Sequence, residues 1–546
     1  MRKLHIFYFA ALPIIVFVVF KNALSFCEMG DPIYWLHSYE FAFIRLLTSR
    51  SNTFHYHPLG IIWFCFPSTL FGFDPFWTHI NSLIIHAVNA ILVFVLAGLL
   101  LENKELAFGA AILFLTGIYV PETICWGGGF PNAGITLLFL TCFLLLRRSI
   151  VRKSTLSLVV YNTLFAASLF VFPTAINFLA VYALYLLFDP EMAFGSGGQR
   201  SYRSNFSRTA RILWVSALCV LFFLVIRSFL VERATYHTLN PLEPGMVSGV
   251  IVRMFRALDI LLIPSEFIRA FMPGGIMSMP RVYSTSAVIF LAGLIVIMLF
   301  KSSARDRFIS LWVLTQIFLI AVETDVGSRH LYAASTGAAI LFMRALHKAI
   351  GGVAAFVEQE LQQHSSLLKR LPASTRERCT LLLLLGILFV PVKNNLLNVR
   401  YFMGSQEKAS EIVRSCTEYV QSARLHPSQT ERIYLINFPY AICRAGGLSS
   451  FVLPYDDFLR ILDLQEGAEV WRKNYSLGTC SQLYVLPESQ WIFLKPQHEH
   501  HQKIPDYSVN ELRHLASQPS LVMVFDYIHE RPITLEPMPK SNPPMR

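Results

Sequence analysis

Eleven apolar stretches cross the chain, and the gaps between them alternate in character. Every second gap is rich in Lys and Arg, while the others hold carboxylates, histidines and prolines. A chain patterned this way has two chemically different sides. A transmembrane helix needs about 20 mainly apolar residues. The stretches at 4–20, 77–101, 106–120, 133–146, 156–171, 175–187, 212–231, 286–300, 308–322, 331–346 and 381–392 read as spans. Composition agrees: 54% of the 546 residues are hydrophobic and 15% charged, against roughly 25% charged in soluble chains. The first stretch has the basic start of a signal peptide. Asn22-Ala23-Leu24-Ser25 is a poor cleavage site, so it reads as a retained span.

The basic gaps set the topology. They hold Arg147, Arg148, Arg152 and Lys153; Arg200, Arg203, Arg208 and Arg211; Lys301, Arg305 and Arg307; and the run 344–378. The gap 102–105 belongs with them by position. Basic loops stay in the cytoplasm, so the N-terminus with Arg2 and Lys3 is cytoplasmic and the tail after residue 392 lies outside. The expected location is that of an integral, multi-pass membrane protein, in the inner or plasma membrane if the cell is bacterial. The net charge of +11 would suit nucleic acid, but the basic residues sit in short gaps between spans, and no nucleic-acid partner is expected.

The expected fold class is an all-α polytopic membrane protein of about eleven transmembrane helices, with a small C-terminal α/β extracytoplasmic domain. The membrane domain covers 1–396, with a first outer loop at 21–76. The stretches 59–73 and 247–263 are apolar but interrupted by polar residues, and read as interfacial or re-entrant helices. The tail, 397–546, has helical spacing over 405–425. Strand-like runs follow at 433–438, 450–453, 483–486, 491–494 and 521–525. The proline-rich end, 537–546, reads as disordered. The nine cysteines show no metal-binding spacing; Cys416, Cys443 and Cys480 could include a disulfide or be free thiols.

Chemistry-bearing residues concentrate in the outer gaps. Glu28 and Asp31 stand just beyond the first span. Such carboxylates act as general bases, hold a divalent cation such as Mg or Mn, or are simply solvated. His79 and His86 are seven apart on the second span and share a face, with Asn89 nearby. His86 and Asn89 lie deep and suit hydrogen bonding between helices; His79 is nearer the outer end and suits the lining of a site. Glu122 follows Pro121, and Gly127–Gly129 beside it permit close backbone approach or a flexible turn. Arg253, Arg256 and Arg329 at the interface suit an anionic phosphate through bidentate guanidinium bonds, or headgroup anchoring. Tyr332 follows Arg329 closely.

Several of these residues fall in an ordered set of motifs. Tyr56-His57-Pro58-Leu59 is followed by Gly72, Pro75, His79, Asn81, Leu83, His86 and Asn89 at fixed intervals. Glu122 and Trp126 keep a Glu–Trp spacing, and the run from Ser328 to Gly337 retains Arg329, Tyr332, Ser335 and Gly337. This set resembles the multi-spanning GT-C glycosyltransferases, particularly the transmembrane O-mannosyltransferases with tetratricopeptide repeats and their bacterial relatives. The resemblance covers roughly residues 1–400. His57 replaces the usual Arg, Phe130-Pro131-Asn132 replaces an Arg-x-Asp element, and the repeats are absent.

The resemblance implies an inverting transfer of a sugar from a polyprenyl-phosphate donor to an extracytoplasmic protein, lipid or glycan. The donor phosphate would sit against Arg329, helped by Arg253 or Arg256, with its tail among membrane lipids. Asp31 or Glu28 would be the base, and Glu122 would orient the acceptor or a metal. His57, His79, Asn81, Trp126 and Tyr332 would line the substrate site. The competing expectation is a non-catalytic protein on a degenerate GT-C fold, either a lipid-linked saccharide transporter or a scaffold. A transporter of this kind often carries symmetric halves with broken midplane helices, and the sequence shows neither.

Overall fold

The computed structural model describes residues 2–27, 35–37, 39–40, 57–117, 119–126, 129–188, 202–230, 249–254, 257, 303–323, 328–364, 373–422, 432–436, 441–444, 450–452, 457–466, 475–478, 491–494, 498–499, 502–503, 505–516, 520–526 and 531–534. Glu28, Asp31 and Arg256, the expected span 286–300, the strand-like run 483–486 and the proline-rich end lie outside these residues.

The described chain is mostly helical. Its helices are α1 (Arg2–Phe20), α2 (Pro58–Phe71), α3 (Pro75–Leu101), α4 (Lys104–Thr116), α5 (Val120–Ile124), α6 (Phe130–Val151), α7 (Thr155–Val171) and α8 (Ile176–Phe188). Then come α9 (Tyr202–Leu230), α10 (Ala304–Glu323), α11 (Ala334–His364) and α12 (Ala373–Ser422). Among the described residues, four stretches are long and apolar enough to cross a membrane: Phe7–Ser25, Pro75–Leu101, Phe130–Val151 and Asn205–Phe229. The protein is an integral membrane protein.

Local sequence sets where the helices begin and end. Asp74 accepts from the Phe76 N–H at 2.9 Å, and Pro75 opens α3 where a missing N–H costs nothing. At 27 residues α3 is about 40 Å long, enough for a bilayer core. Glu102 closes it in the left-handed conformation, and Asn103 accepts from the Leu106 N–H at 2.9 Å to start α4. The helix in the expected span 106–120 therefore ends at Thr116, short of the expected boundary. The chain leaves helical geometry at Gly117, and Pro121 opens the separate helix α5. α2 has 14 residues, about 21 Å, and is too short to cross. It packs on α3, α6 and α7.

α3 packs along α4, α6 and α1, while α10 packs along α8 and α11. Trp312 of α10 is fully buried among Phe139, Phe143 and Phe308. It lies over Gly337 of α11, where a Cβ would come within 3.0 Å of the indole. Glycine sets the approach of these helices. The outer surface of α9 exposes Phe206, Trp214, Leu221, Phe222 and Phe229. In water such a face would be a liability; in a bilayer it matches its solvent.

The alternating gaps sort to two ends of the bundle. At one end Arg305 pairs with Glu102 at 3.0 Å, and Asp306 takes Arg344 Nε at 2.7 Å and Lys348 Nζ at 2.6 Å. These residues come from three of the gaps read as inner. At the other end Ser25, Cys27 and Cys125, from gaps read as outer, bond to one face of α12, and Glu122 pairs with Arg329.

α12 runs unbroken for 50 residues, about 75 Å. It joins the expected span 381–392 to the expected tail helix 405–425, so the expected boundary at 396/397 falls inside one helix. No helix breaker stands between Pro391 and Gly404. Beyond it lie β1 (Arg432–Ile436), β2 (Ala441–Arg444), β3 (Ser450–Val452), α13 (Asp457–Glu466), β4 (Tyr475–Gly478) and β5 (Trp491–Leu494). Then follow β6 (His498–Glu499), β7 (Gln502–Lys503), α14 (Val509–Ala516), β8 (Ser520–Asp526) and β9 (Arg531–Thr534). One sheet has the order β4-β1-β8-β9, with β1 parallel to β4 and β8, and a second has the antiparallel order β3-β2-β5. Ser508 and Glu511 form a reciprocal capping box at the start of α14. Leu512 of that helix packs against Tyr434, Val522 and Val524. β2, β4, β6, β7 and β9 have no counterpart in the sequence reading, because runs such as Ala441–Arg444 and His498–Glu499 carry too little strand pattern.

Candidate functional site

Glu122 and Arg329 are 207 residues apart in sequence and meet at the end of the bundle opposite Asp306. Pro121 starts the short helix α5 and places Glu122 in its first turn. Arg329 belongs to the 3-10 turn Ser328–Leu331 that leads into α11. Arg329 Nη1 donates to Glu122 Oε1 at 2.7 Å, and the Arg329 backbone N–H donates to Oε2 at 3.2 Å. Trp126 lies against the guanidinium, with its ring centroid 4.7 Å from Cζ. Both side chains of the pair are partly buried, at 31% and 21% exposed, so water screens the pair only in part. Among the described residues, Arg329 Nε and Nη2 take no hydrogen-bond partner. The guanidinium is thus held on one edge and one face, with no hydrogen-bond partner on its other edge among the described residues.

Glu122 was expected as a functional acid. Both of its oxygens are committed to Arg329, an arrangement that suits orienting the guanidinium more than accepting a proton. Gly129 completes the turn: a Cβ there would run into the Glu122 carbonyl and the Thr123 backbone. Glycine at this position lets α5 fold back on the start of α6.

Tyr332, expected against substrate, is fully buried. Its hydroxyl lies 2.6 Å from His86 Nδ1 and 3.3 Å from Asn89 Nδ2. Asn89 Nδ2 also donates to the Ala133 carbonyl at 3.0 Å, and His86 Nε2 lies 3.2 Å from the Leu115 carbonyl. A carbonyl only accepts, so Nε2 carries the hydrogen. The tyrosine hydroxyl accepts from Asn89 and donates to Nδ1. The network joins α3, the end of α4, the start of α6 and the Arg329 turn, three residues beyond Arg329. The expected hydrogen bonding of His86 and Asn89 between helices is what the structure contains.

His79 is buried, with its ring edge-on to Phe26 at 6.4 Å. Asn81 is half-buried on α3. His57 is buried at the start of α2, against Trp35 at 5.5 Å and Phe172 at 5.6 Å. Trp35 continues to Phe64, and Phe64 to Phe130, so an aromatic chain connects His57 to the residue after Gly129. Arg253 is half-buried on the helical segment 249–254. No group of three or more metal-ligating side chains occurs among the described residues.

The sequence reading missed two residues here. Gln406 of α12 donates through Nε2 to the Cys125 carbonyl. Ser410 Oγ accepts from the Cys27 N–H at 3.1 Å. Their signal was present, because both fall on the stripe Phe402, Ala409, Val413 and Cys416 that α12 buries.

No protein-family model matches the sequence, and no curated protein matches it. Among solved structures, ArnT from Cupriavidus metallidurans bound to undecaprenyl phosphate aligns with a TM-score of 0.49 and 11% identity, over 96% of this chain and 93% of its own. The oligosaccharyltransferase AglB from Archaeoglobus fulgidus, in complex with an inhibitory peptide and a dolichol-phosphate, aligns with a TM-score of 0.47 and 12% identity, over 86% of this chain. This chain spans 64% of the length of that oligosaccharyltransferase.

Proposed function

We propose that the chain is an integral membrane glycosyltransferase on a GT-C-like fold of about eleven spans. It transfers a sugar, with inversion, from a polyprenyl-phosphate donor to an extracytoplasmic acceptor. The N-terminus is cytoplasmic, and the strand-bearing C-terminal region is extracytoplasmic. The observation that carries this reading is Arg329 clamped between Glu122 and Trp126, 31% exposed, at the end of the bundle read as outer. That geometry suits a phosphate whose lipid tail lies between helices. Part of the ordered motifs adds support, since Glu122 and Trp126 touch Arg329, and His86, Asn89 and Tyr332 brace its turn.

In the proposed reaction the acceptor hydroxyl oxygen bonds to the anomeric carbon while the bond from that carbon to the phosphate oxygen breaks. The hydroxyl proton passes to Asp31 or Glu28, and the bonding electron pair leaves with the lipid phosphate. Arg329 stabilises the charge growing on that phosphate. Glu122 holds Arg329 in place. A Mg or Mn ion, if the reaction uses one, would have Glu28 and Asp31 as its ligands, since Glu122 is committed to Arg329.

The test is release of lipid phosphate from undecaprenyl-phosphate-linked hexoses by the full chain in nanodiscs. Asp31→Asn and Glu28→Gln should separate the base from its neighbour: one abolishes release while the folded protein is retained. Full release by both variants would remove these acids from the reaction. No release by the unaltered chain from any hexose donor, with membrane extract added as the source of acceptor hydroxyls, would sink the proposed activity.

A further inference from the structure

The outer half of α12 ties together the two outer gaps that carry candidate acids. Gln406 Nε2 donates to the carbonyl of Cys125, three residues after Glu122 and one before Trp126. The Gln406 carbonyl accepts from Ser410 Oγ at 2.9 Å, and that hydroxyl accepts from the N–H of Cys27, one residue before Glu28. Arg414 Nη2 adds a bond to the Ser25 carbonyl at 3.1 Å. The bonds to Cys125, Cys27 and Ser25 grip main chain, so each fixes the path of a loop and not one rotamer. The two loops lie nearly 100 residues apart in sequence, and one helical turn of α12 reaches both.

Stability alone is a poor reason for this arrangement. Gln406 is buried at 1% exposure, and its Oε1 has no partner among the described residues. An apolar side chain of similar volume would avoid that unpaired acceptor. Phe402, Ala409 and Val413 on the same face are apolar, so an apolar side chain would be at home there. The amide is explained by the bond that it makes to the Glu122–Trp126 turn.

We propose that Gln406 and Ser410 are positioning residues that hold the Cys27 and Cys125 loops in one register. The main chain at Cys27 and at Cys125 is then set by the same turn of α12. What the loops do rests on the glycosyltransferase reading; the coupling between them does not.

The experiment compares Gln406→Met, Ser410→Ala and Ser410→Thr in the full chain in nanodiscs. The first readout is amide hydrogen exchange at Cys27 and over 122–126. Gln406→Met is expected to keep the melting temperature within about 2 °C. It should also speed exchange at Cys27, which Gln406 does not touch, by about fivefold or more. Ser410→Ala should do the same over 122–126, and Ser410→Thr, which keeps the hydroxyl, should restore both. Changes confined to each residue's own contact would overturn the coupling. So would a general rise in exchange with a lowered melting temperature. The second readout is turnover of an undecaprenyl-phosphate hexose. A fall in kcat of about tenfold with KM unchanged supports positioning of the reacting groups, whereas a change in KM alone opposes it. If the unaltered chain turns nothing over, the activity proposed above fails, and the exchange result still decides the coupling.

Discussion

Arg329 gives Glu122 two hydrogen bonds, one from its guanidinium at 2.7 Å and one from its own backbone at 3.2 Å. The carboxylate therefore fixes both the side chain and the turn that carries it. Arg329→Lys removes the fork and the stacking on Trp126 while keeping the charge. Binding of undecaprenyl phosphate, measured by titration into nanodiscs, should weaken about tenfold or more, in line with about 1.5–3 kcal/mol for a charged hydrogen bond. Glu122→Gln should weaken it less, because Trp126 still braces one face. Unchanged binding in Arg329→Lys would separate this arginine from the lipid phosphate.

Tyr332→Phe leaves the His86 Nδ1 acceptor and one Asn89 hydrogen without their partner in a buried place. The expected cost is about 1–3 kcal/mol, read as a lowered melting temperature in detergent. A residue that contacted substrate from an open cavity would instead lose activity with stability intact.

Asp306 is buried at the other end of the bundle, next to two cations. Burial opposes its ionisation, but bonds from Lys348, Ser303 and Arg344 outweigh burial and hold the carboxyl down to about 2, below its ordinary 3.8. A depressed folded-state value means that the stabilisation is complete above about pH 4 and is lost as pH falls towards 2. Asp306→Asn should lower the melting temperature at pH 7, with the difference from the unaltered chain narrowing on acidification through that window. Lys348 is 41% exposed, so Lys348→Gln should cost less.

Asp74 and Glu102 flank the two ends of α3 and are both exposed. In whole cells an impermeant thiol reagent should label a cysteine placed by Asp74→Cys and should reach one placed by Glu102→Cys only after permeabilisation. The opposite pattern would invert the orientation read from the basic gaps.

The parts of the fold that sequence made legible are those governed by local physics. Apolar runs of span length became α1, α3, α6 and α9, and the alternating charges became two ends, because both signals act within one segment. Gly117 and Pro121 could have flagged the break after α4, but the apolar run carried across them. Residues that meet over long separations were readable only as types. Arg329 was read as a phosphate ligand, yet nothing in its neighbourhood announced Glu122. Tyr332 looked like a substrate contact because its motif is shared with Arg329, and its burial under α3 is a tertiary fact. Gln406 and Ser410 drew no notice, since neither residue type signals chemistry; their meaning comes from which carbonyl and which N–H lie opposite.

The continuity of α12 has a consequence for what changes this protein can absorb. One residue inserted between Pro391 and Gln406 would turn the outer half of the helix by about 100° and lift it about 1.5 Å. Both loop contacts would then face away from their partners. Seven inserted residues would nearly restore the facing but raise it by about 10 Å. Exposed positions along this stretch should accept many substitutions, while its length should accept almost none.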